Sequence, residues 1–389
     1  MNKNNILILC KVVDNYGDIG TAFRLAKALS RLRENLNISI VVSDLDSFSA
    51  LFPKINPEKK IQQVEYGRSR WNVIDWNFPE CESFARGLDF GIILECFQCG
   101  RPEWLENILF SDDFKKIVQI VNIDYLTAEE YADDFHLLKS GTRKSLIRKI
   151  NFMPGFTKNT GGLILESKKE LVQKNAFTIN FDENFFSQKR TYDILIFSYE
   201  RDFSSIVQAI NRFEKSKKEK NSEFSVRVLV AAGKSEKPFL DAWEKSGKPF
   251  RAEVLDFLPQ EKWDEIICSC GFVFVRGEDS LSRACLSGVP FIWHAYVQDD
   301  DYQLVKVSAL LGRMKPFFSE DDFAVLEKVW LDYNKSLPEK KDSGLESEKI
   351  ELLLGSESVR KGFGAFALSL WQNGDLAQNL LDYIDSLEA

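Results

Sequence analysis

Short apolar runs alternate with amphipathic stretches along the whole chain, the pattern that βα units make around parallel sheets rather than that of a meander or a helical bundle. In the first half the runs predict strands over residues 6–12, 38–42, 61–64, 90–94, 117–121 and 162–165. The series restarts with 192–197, 226–230, 253–257, 272–275 and 290–293. Between the runs the period lengthens: Ala22, Leu25, Ala26, Leu29 and Leu32 share one helical face, as do Ile206, Val207, Ile210 and Phe213 in a helix over 203–215. Two doubly wound α/β halves are the natural reading. A mixed segment at 173–190 precedes the second series, so the boundary is expected there, giving domains over 1–185 and 186–359. Helical periodicity resumes near 357, and the tail 360–389 is expected to cross back to the first domain. The polar stretch 334–349, with Pro338, Gly344 and several Lys, reads as a solvated loop. There is no internal repeat and there are no heptads.

At 389 residues with 44% hydrophobic and 28% charged positions, the chain can build two large cores, so a disordered or disulfide-dependent fold is excluded. The net charge of −8 disfavours general attraction to nucleic acid or anionic lipid and leaves room only for a local anion site. The first ten residues have too short an apolar core for a signal peptide, and no run approaches the ~20 apolar residues that span a bilayer. A cytoplasmic location, away from membranes, is expected. Seven Cys suit reduced thiols. Cys96 and Cys99 have metal or redox spacing, but there is no second such pair and only two His, His136 and His294, so neither zinc nor thioredoxin-like chemistry is expected.

Two strand ends carry candidate chemistry. The first strand runs into Asp14-Asn15-Tyr16-Gly17-Asp18-Ile19-Gly20, at the carboxyl edge where open α/β sheets bind ligands. This loop lacks the dinucleotide fingerprint, and two carboxylates would be poor neighbours for a pyrophosphate; they suit a cationic or hydroxyl-bearing acceptor, or else a turn (Asp14) and a helix cap (Asp18). In the second half, the strand over 272–275 delivers Arg276-Gly277-Glu278-Asp279-Ser280 into a helix. A guanidinium beside a helix N-terminus suits a diphosphate, although Ser280 could simply cap the helix while Arg276 pairs with Glu278. Ala232-Gly233-Lys234-Ser235 imitates the end of a P-loop, but Val228 stands where its first Gly belongs, so nucleotide hydrolysis is set aside. Phe197, Tyr199, Phe257, Gln260 and Trp263 also fall near strand ends and could stack on a nucleobase and read its edge, or be core. Arg143, Lys144, Arg148 and Lys149 read as a solvated face.

These residues carry a resemblance over nearly the full length. The chain resembles the EarP family, protein-arginine rhamnosyltransferases that modify elongation factor P. The motifs stand in the family's order: 14–20, 151–156, 160–162 and 276–280, then Trp293-His294-Ala295-Tyr296 and Gln298, with Val297 and Gln303 where the family usually has Pro and His.

The resemblance implies a GT-B glycosyltransferase of two Rossmann-like domains with an interdomain cleft. It also implies an inverting mechanism, dTDP-β-L-rhamnose as co-substrate, no cofactor, no metal, and elongation factor P as the protein substrate. Asp18 would then be the general base and Asp14 its partner, with Asn15, Tyr16 and Gly17 completing the acceptor loop. Phe197, Tyr199, Phe257, Gln260 and Trp263 would line the nucleotide pocket; Arg276, Asp279 and Ser280 would hold the diphosphate, and Glu278 would be needed nearby. Two other functions remain open at this point: a GT-B enzyme acting on a small molecule or lipid, and a catalytically silent nucleotide-sugar-binding partner of the elongation factor.

Overall fold

A computed structural model describes residues 1–13, 16–165, 191–335 and 345–388. The chain divides into two compact units, one of Met1–Glu166 with Asn373–Ala389 and the other of Ser167–Gln372. The boundary expected at 173–190 lies outside the described residues. At the C-terminal end, the helix Glu357–Trp371 stays with the second unit and only the chain from Asn373 onward belongs to the first, a later crossing than residue 360.

The first unit is built on an eight-stranded sheet: β1 (Asn5–Cys10), β2 (Asn37–Val42), β3 (Ile61–Tyr66), β4 (Ser69–Asp75), β5 (Ile92–Cys96), β6 (Val118–Ile123), β7 (Lys139–Ser140) and β8 (Ile147–Phe152). Their order is β3-β4-β2-β1-β5-β6-β8-β7, with antiparallel pairing only at the two edges. Successive side chains of β1 face opposite ways, so Ile6, Ile8 and Cys10 enter one core and Leu7 and Leu9 the other. The helix Tyr16–Leu32 covers the first of these cores with Ile19, Phe23, Ala26 and Leu29. The C-terminal helix Leu376–Ser386 lies on the same core through Leu376, Leu380, Leu381 and Ile384.

The second unit is a five-stranded, wholly parallel sheet of β9 (Thr191–Ile196), β10 (Ser225–Ala231), β11 (Arg251–Leu255), β12 (Phe272–Arg276) and β13 (Phe291–His294), in the order β11-β10-β9-β12-β13. In both units the first strand sits inside the sheet, flanked on one side by the strand that follows it and on the other by a later one. That places a topological switch point between β1 and β5, and another between β9 and β12, the positions where parallel sheets open a crevice at their carboxyl ends.

Four expectations are corrected. Residues 162–165 form no strand; Leu163 makes only an isolated bridge to Asp375. β4 and β8 are absent from the strands expected because Arg70 and Asn72, and Arg148 and Lys149, interrupt their apolar positions, so neither reads as a continuous run. The stretch 334–349 is not loop from its start: Asn334 is buried and ends the helix Glu320–Asn334, and Ser347 opens another helix. Lys144 and Lys149 do not form a solvated face, since Lys144 Nζ donates to the carbonyls of Ser111 and Phe114, and Lys149 pairs with the fully buried Glu95.

Candidate active site

At the switch point of the second unit, the loop after β9 faces the loop after β12. Gly277 is the N-cap of the helix Glu278–Ser287 and holds φ at +72°, a conformation that L side chains rarely adopt. Ser280 therefore lies within the first turn and does not cap the helix. The Leu281 N–H is taken by the Gly277 carbonyl, so the amides left by helix geometry for an anion are those of residues 277–280. Arg276 makes no ion pair with a described residue; the pairing with Glu278 is not formed. Its guanidinium carbon lies 4.8 Å from the ring centres of both Phe197 and Tyr199, and its buried Nε has no hydrogen-bond partner among the described residues. An unneutralised cation between two rings and a helix N-terminus is an arrangement suited to a polyanion.

Trp263 connects the aromatic side of this site to the helix: its indole N–H donates to Ser280 Oγ at 3.0 Å, while Phe197 meets its ring edge-on at 4.9 Å. Gln260 is buried as the first residue of the helix Gln260–Ser269, and Phe257, in the preceding loop, is 53% exposed. The structure thus joins Phe197, Tyr199, Trp263, Arg276 and Ser280 through direct contacts. Glu278 and Asp279 stand in the first turn of the helix.

Other residues here were given no role at the site by the sequence. His294 ends β13 and is buried; its Nδ1 lies 2.7 Å from Ser198 Oγ and accepts the Tyr199 N–H at 3.3 Å. Burial, with Arg201 and Arg276 nearby, pushes its pKa down to about 3, so the imidazole stays neutral and keeps an acceptor for the strand-end loop. Ser198 Oγ continues to Tyr333 Oη at 2.7 Å. Tyr296, 63% exposed, meets the Tyr199 ring edge-on at 5.6 Å. Lys234 Nζ sits 5.6 Å from the centre of that same ring, and Ser235 Oγ accepts the Ser198 N–H. The segment rejected as a P-loop therefore does reach the site. The signal was its position directly after a strand, rather than its glycine spacing. The loop after β13 is fastened from behind by Gln303, which accepts the Gln298 N–H, and by Asn334, which accepts that of Ala295.

In the first unit, Asp18 lies in the first turn of the helix Tyr16–Leu32, 5% exposed, and its carboxylate reaches back to accept the Val13 N–H at 2.8 Å. Tyr16 and Gly17 are exposed at the start of that helix; Asp14 and Asn15 lie outside the described residues. Beneath Asp18, the Cys10 thiol is pushed well up by burial and then by the charges of Asp18 and Cys99. Burial also pushes Cys99 up to about 12. Protonated at neutral pH, these thiols are poor nucleophiles.

The family model for Elongation-Factor P (EF-P) rhamnosyltransferase EarP matches residues 6–385. A protein-arginine rhamnosyltransferase of Shewanella oneidensis is 31% identical over 334 residues, covering 80% of each chain. One of Pseudomonas putida is 29% identical over 84% of this chain and 86% of its own. Among solved structures, one concerning EarP-mediated arginine glycosylation of translation elongation factor EF-P superposes with a TM-score of 0.57 at 20% identity, over 98% of this chain and 99% of the other. A ugt transferase from Siraitia grosvenorii in complex with UDP gives 0.50 at 13% identity, over 98% and 99%. Those structural likenesses establish the GT-B type of fold, and the match along nearly all of the sequence establishes more: the chain belongs to the EarP family of EF-P rhamnosyltransferases.

Proposed function

We propose that this chain transfers L-rhamnose from dTDP-β-L-rhamnose to an arginine side chain of elongation factor P, with inversion at the anomeric carbon and without a metal. The observation that carries the donor side is Arg276, a guanidinium without an ion-pair partner among the described residues, held against Phe197 and Tyr199 beside the N-terminus of the helix Glu278–Ser287. It offers two positive partners to a diphosphate: the cation itself and the first-turn amides. Both oppose the charge that grows on the leaving group as the sugar departs, the role a divalent ion would otherwise fill.

A free guanidinium is a poor nucleophile because it is cationic and its lone pairs are delocalised. Asp18, with Asp14, clamps it; as a guanidinium nitrogen bonds to the anomeric carbon, Asp18 accepts the proton and the bond from that carbon to the diphosphate oxygen breaks. Attack from the face opposite the diphosphate inverts the centre in one displacement. Glu278, in the first turn of the helix Glu278–Ser287, is the further carboxylate we assign to activity.

Incubation of the chain with EF-P and dTDP-β-L-rhamnose, followed by intact mass, tests the reading. A deoxyhexose-sized increase on EF-P, undiminished in EDTA, is expected. An unmodified EF-P in the presence of intact donor refutes the transfer, and activity lost in EDTA and restored by Mg²⁺ refutes the metal-free site.

A further inference from the structure

At the other switch point, between β1 and β5, the Asp18 loop faces the segment within and after the Cys96/Cys99 pair, Phe97-Gln98-Cys99-Gly100, directly after β5. Phe97 and Gln98 both hold left-handed backbone, φ +60° and +52°, which is costly for an aromatic residue and persists only when its surroundings enforce it. The enforcement is visible. The Phe97 N–H donates to the Ile123 carbonyl at 2.7 Å, Gln98 Nε2 to Asp124 Oδ2 at 2.7 Å, and Cys99 Sγ to the Leu9 carbonyl of β1 at 3.5 Å. The outcome of this conformation is to lay Phe97 against Tyr125 as a stacked pair, ring centres 4.7 Å apart and planes 26° apart, with Tyr125 39% exposed.

Asp124 lies between the two loops that carry these rings. Its Oδ1 accepts the Tyr125 N–H and its Oδ2 the Gln98 amide, and it makes no ion pair with a described residue. Glu95, the other carboxylate at this strand end, is already neutralised by Arg101 and Lys149. An aromatic stack edged by an unneutralised carboxylate, at the same crevice as Asp18, matches one side chain in particular. A guanidinium is planar, stacks on ring faces and takes carboxylates along its edge.

We propose that the Phe97–Tyr125 stack and Asp124 form the platform that receives the acceptor arginine and positions it for Asp18. This rests on the function proposed above and deepens it by assigning acceptor-positioning residues. The strain at 97–98 is then kept for substrate binding rather than for folding.

The test is a binding and kinetic cycle on the full chain. Tyr125 is exposed, so Tyr125→Ala leaves the fold in place. It is expected to raise Kd and KM for EF-P roughly five- to twentyfold, the range of one desolvated cation–π contact, while dTDP affinity stays within about twofold. Tyr125→Phe keeps the ring and restores wild-type values, and Asp124→Asn weakens EF-P binding in the same way as Tyr125→Ala. Against an EF-P whose acceptor arginine is replaced by Ala, the Tyr125→Ala penalty disappears. Wild-type affinity in Tyr125→Ala, a Phe variant as weak as the Ala one, or a penalty that survives removal of the acceptor arginine each overturns the platform. A wild-type chain that neither binds nor modifies EF-P is a separate result: it refutes the function itself and takes this assignment with it.

Discussion

Replacing Asp18 by Asn separates its proposed chemical work from its structural work, because both can be given a size. Structurally, the carboxylate accepts a backbone hydrogen bond from Val13 at 2.8 Å and places a negative charge in the first turn of the helix Tyr16–Leu32. In the Asp18→Asn variant the side-chain amide oxygen can still accept that hydrogen bond, but as a neutral one. The change from a charge-assisted bond of ~1.5–3 kcal/mol to a neutral one of ~1 kcal/mol, plus ~0.3–1 kcal/mol of lost interaction with the helix dipole, gives a loss of about 1–3 kcal/mol. In a unit of this size that lowers Tm by roughly 2–10 °C and leaves the chain folded at assay temperature. Chemically, the amide cannot accept the guanidinium proton, so the rate should fall by roughly 10²–10⁴-fold. The two effects are read separately, by single-turnover transfer to EF-P beside thermal unfolding and dTDP titration. Donor affinity is expected to hold, since every donor contact proposed above lies in the other unit. Transfer within about threefold of wild type would refute Asp18 as the base. A fall in Tm far beyond ~10 °C would show that the hydrogen bond to Val13 had been undervalued.

Three further outcomes are expected. Arg276→Met removes a cation that has no ion-pair partner among the described residues to orphan, so it should weaken dTDP binding at least ~tenfold by calorimetry with little change in Tm; unchanged affinity would remove it from the diphosphate site. His294 has a folded pKa of about 3 against 6.5 unfolded, so the stability linked to its neutral form is complete above pH 6.5 and is lost as pH falls toward 3, by up to roughly 4–5 kcal/mol. Denaturant unfolding at pH 7 and pH 4 should show a smaller acid loss in His294→Gln than in wild type, and equal losses would contradict the depressed pKa. A disulfide reagent at pH 8 should modify the native thiols slowly, because Cys99 near 12 and Cys81 near 11 leave only about 10⁻⁴–10⁻³ as thiolate, whereas all seven should react promptly in denaturant.

Much of the architecture is legible because buried parallel strands read as largely apolar runs, and β1, β2, β9, β10, β12 and β13 are of that kind even where a single polar residue such as Asp193 or Arg227 breaks them. β8 is paired on both sides, yet Arg148 and Lys149 interrupt its apolar positions; Lys149 is drawn in by buried Glu95, a partner 54 residues away that no local pattern reports. At the site, Arg276 and Trp263 announce themselves by residue type and by their place at strand ends. His294 and Ser198 do not, since an imidazole held neutral by burial and by nearby cations is a property of packing rather than of sequence. Lys234 escapes notice for a different reason. Its neighbourhood invites a test against a glycine motif, when the informative fact is that β10 ends at Ala231 and must deliver the next residues to the carboxyl edge of the sheet. Phe97 illustrates the limit most clearly, because nothing in an aromatic residue's identity foretells a positive φ.

The return of the C-terminal helix to the first unit sets an order of events during synthesis. Leu376, Ala377, Leu380, Leu381 and Ile384 pack on the same core as β1 and the helix Tyr16–Leu32, yet they are made about 200 residues after the last strand of that unit. At roughly 5–20 residues per second, the apolar surface they cover stays open for roughly 10–40 s while the second unit emerges. The half translated first is therefore the half completed last, and a chain released just before residue 376 has a complete second unit while its Asp18-bearing unit still exposes a sticky face. Such a fragment would be a target for chaperones.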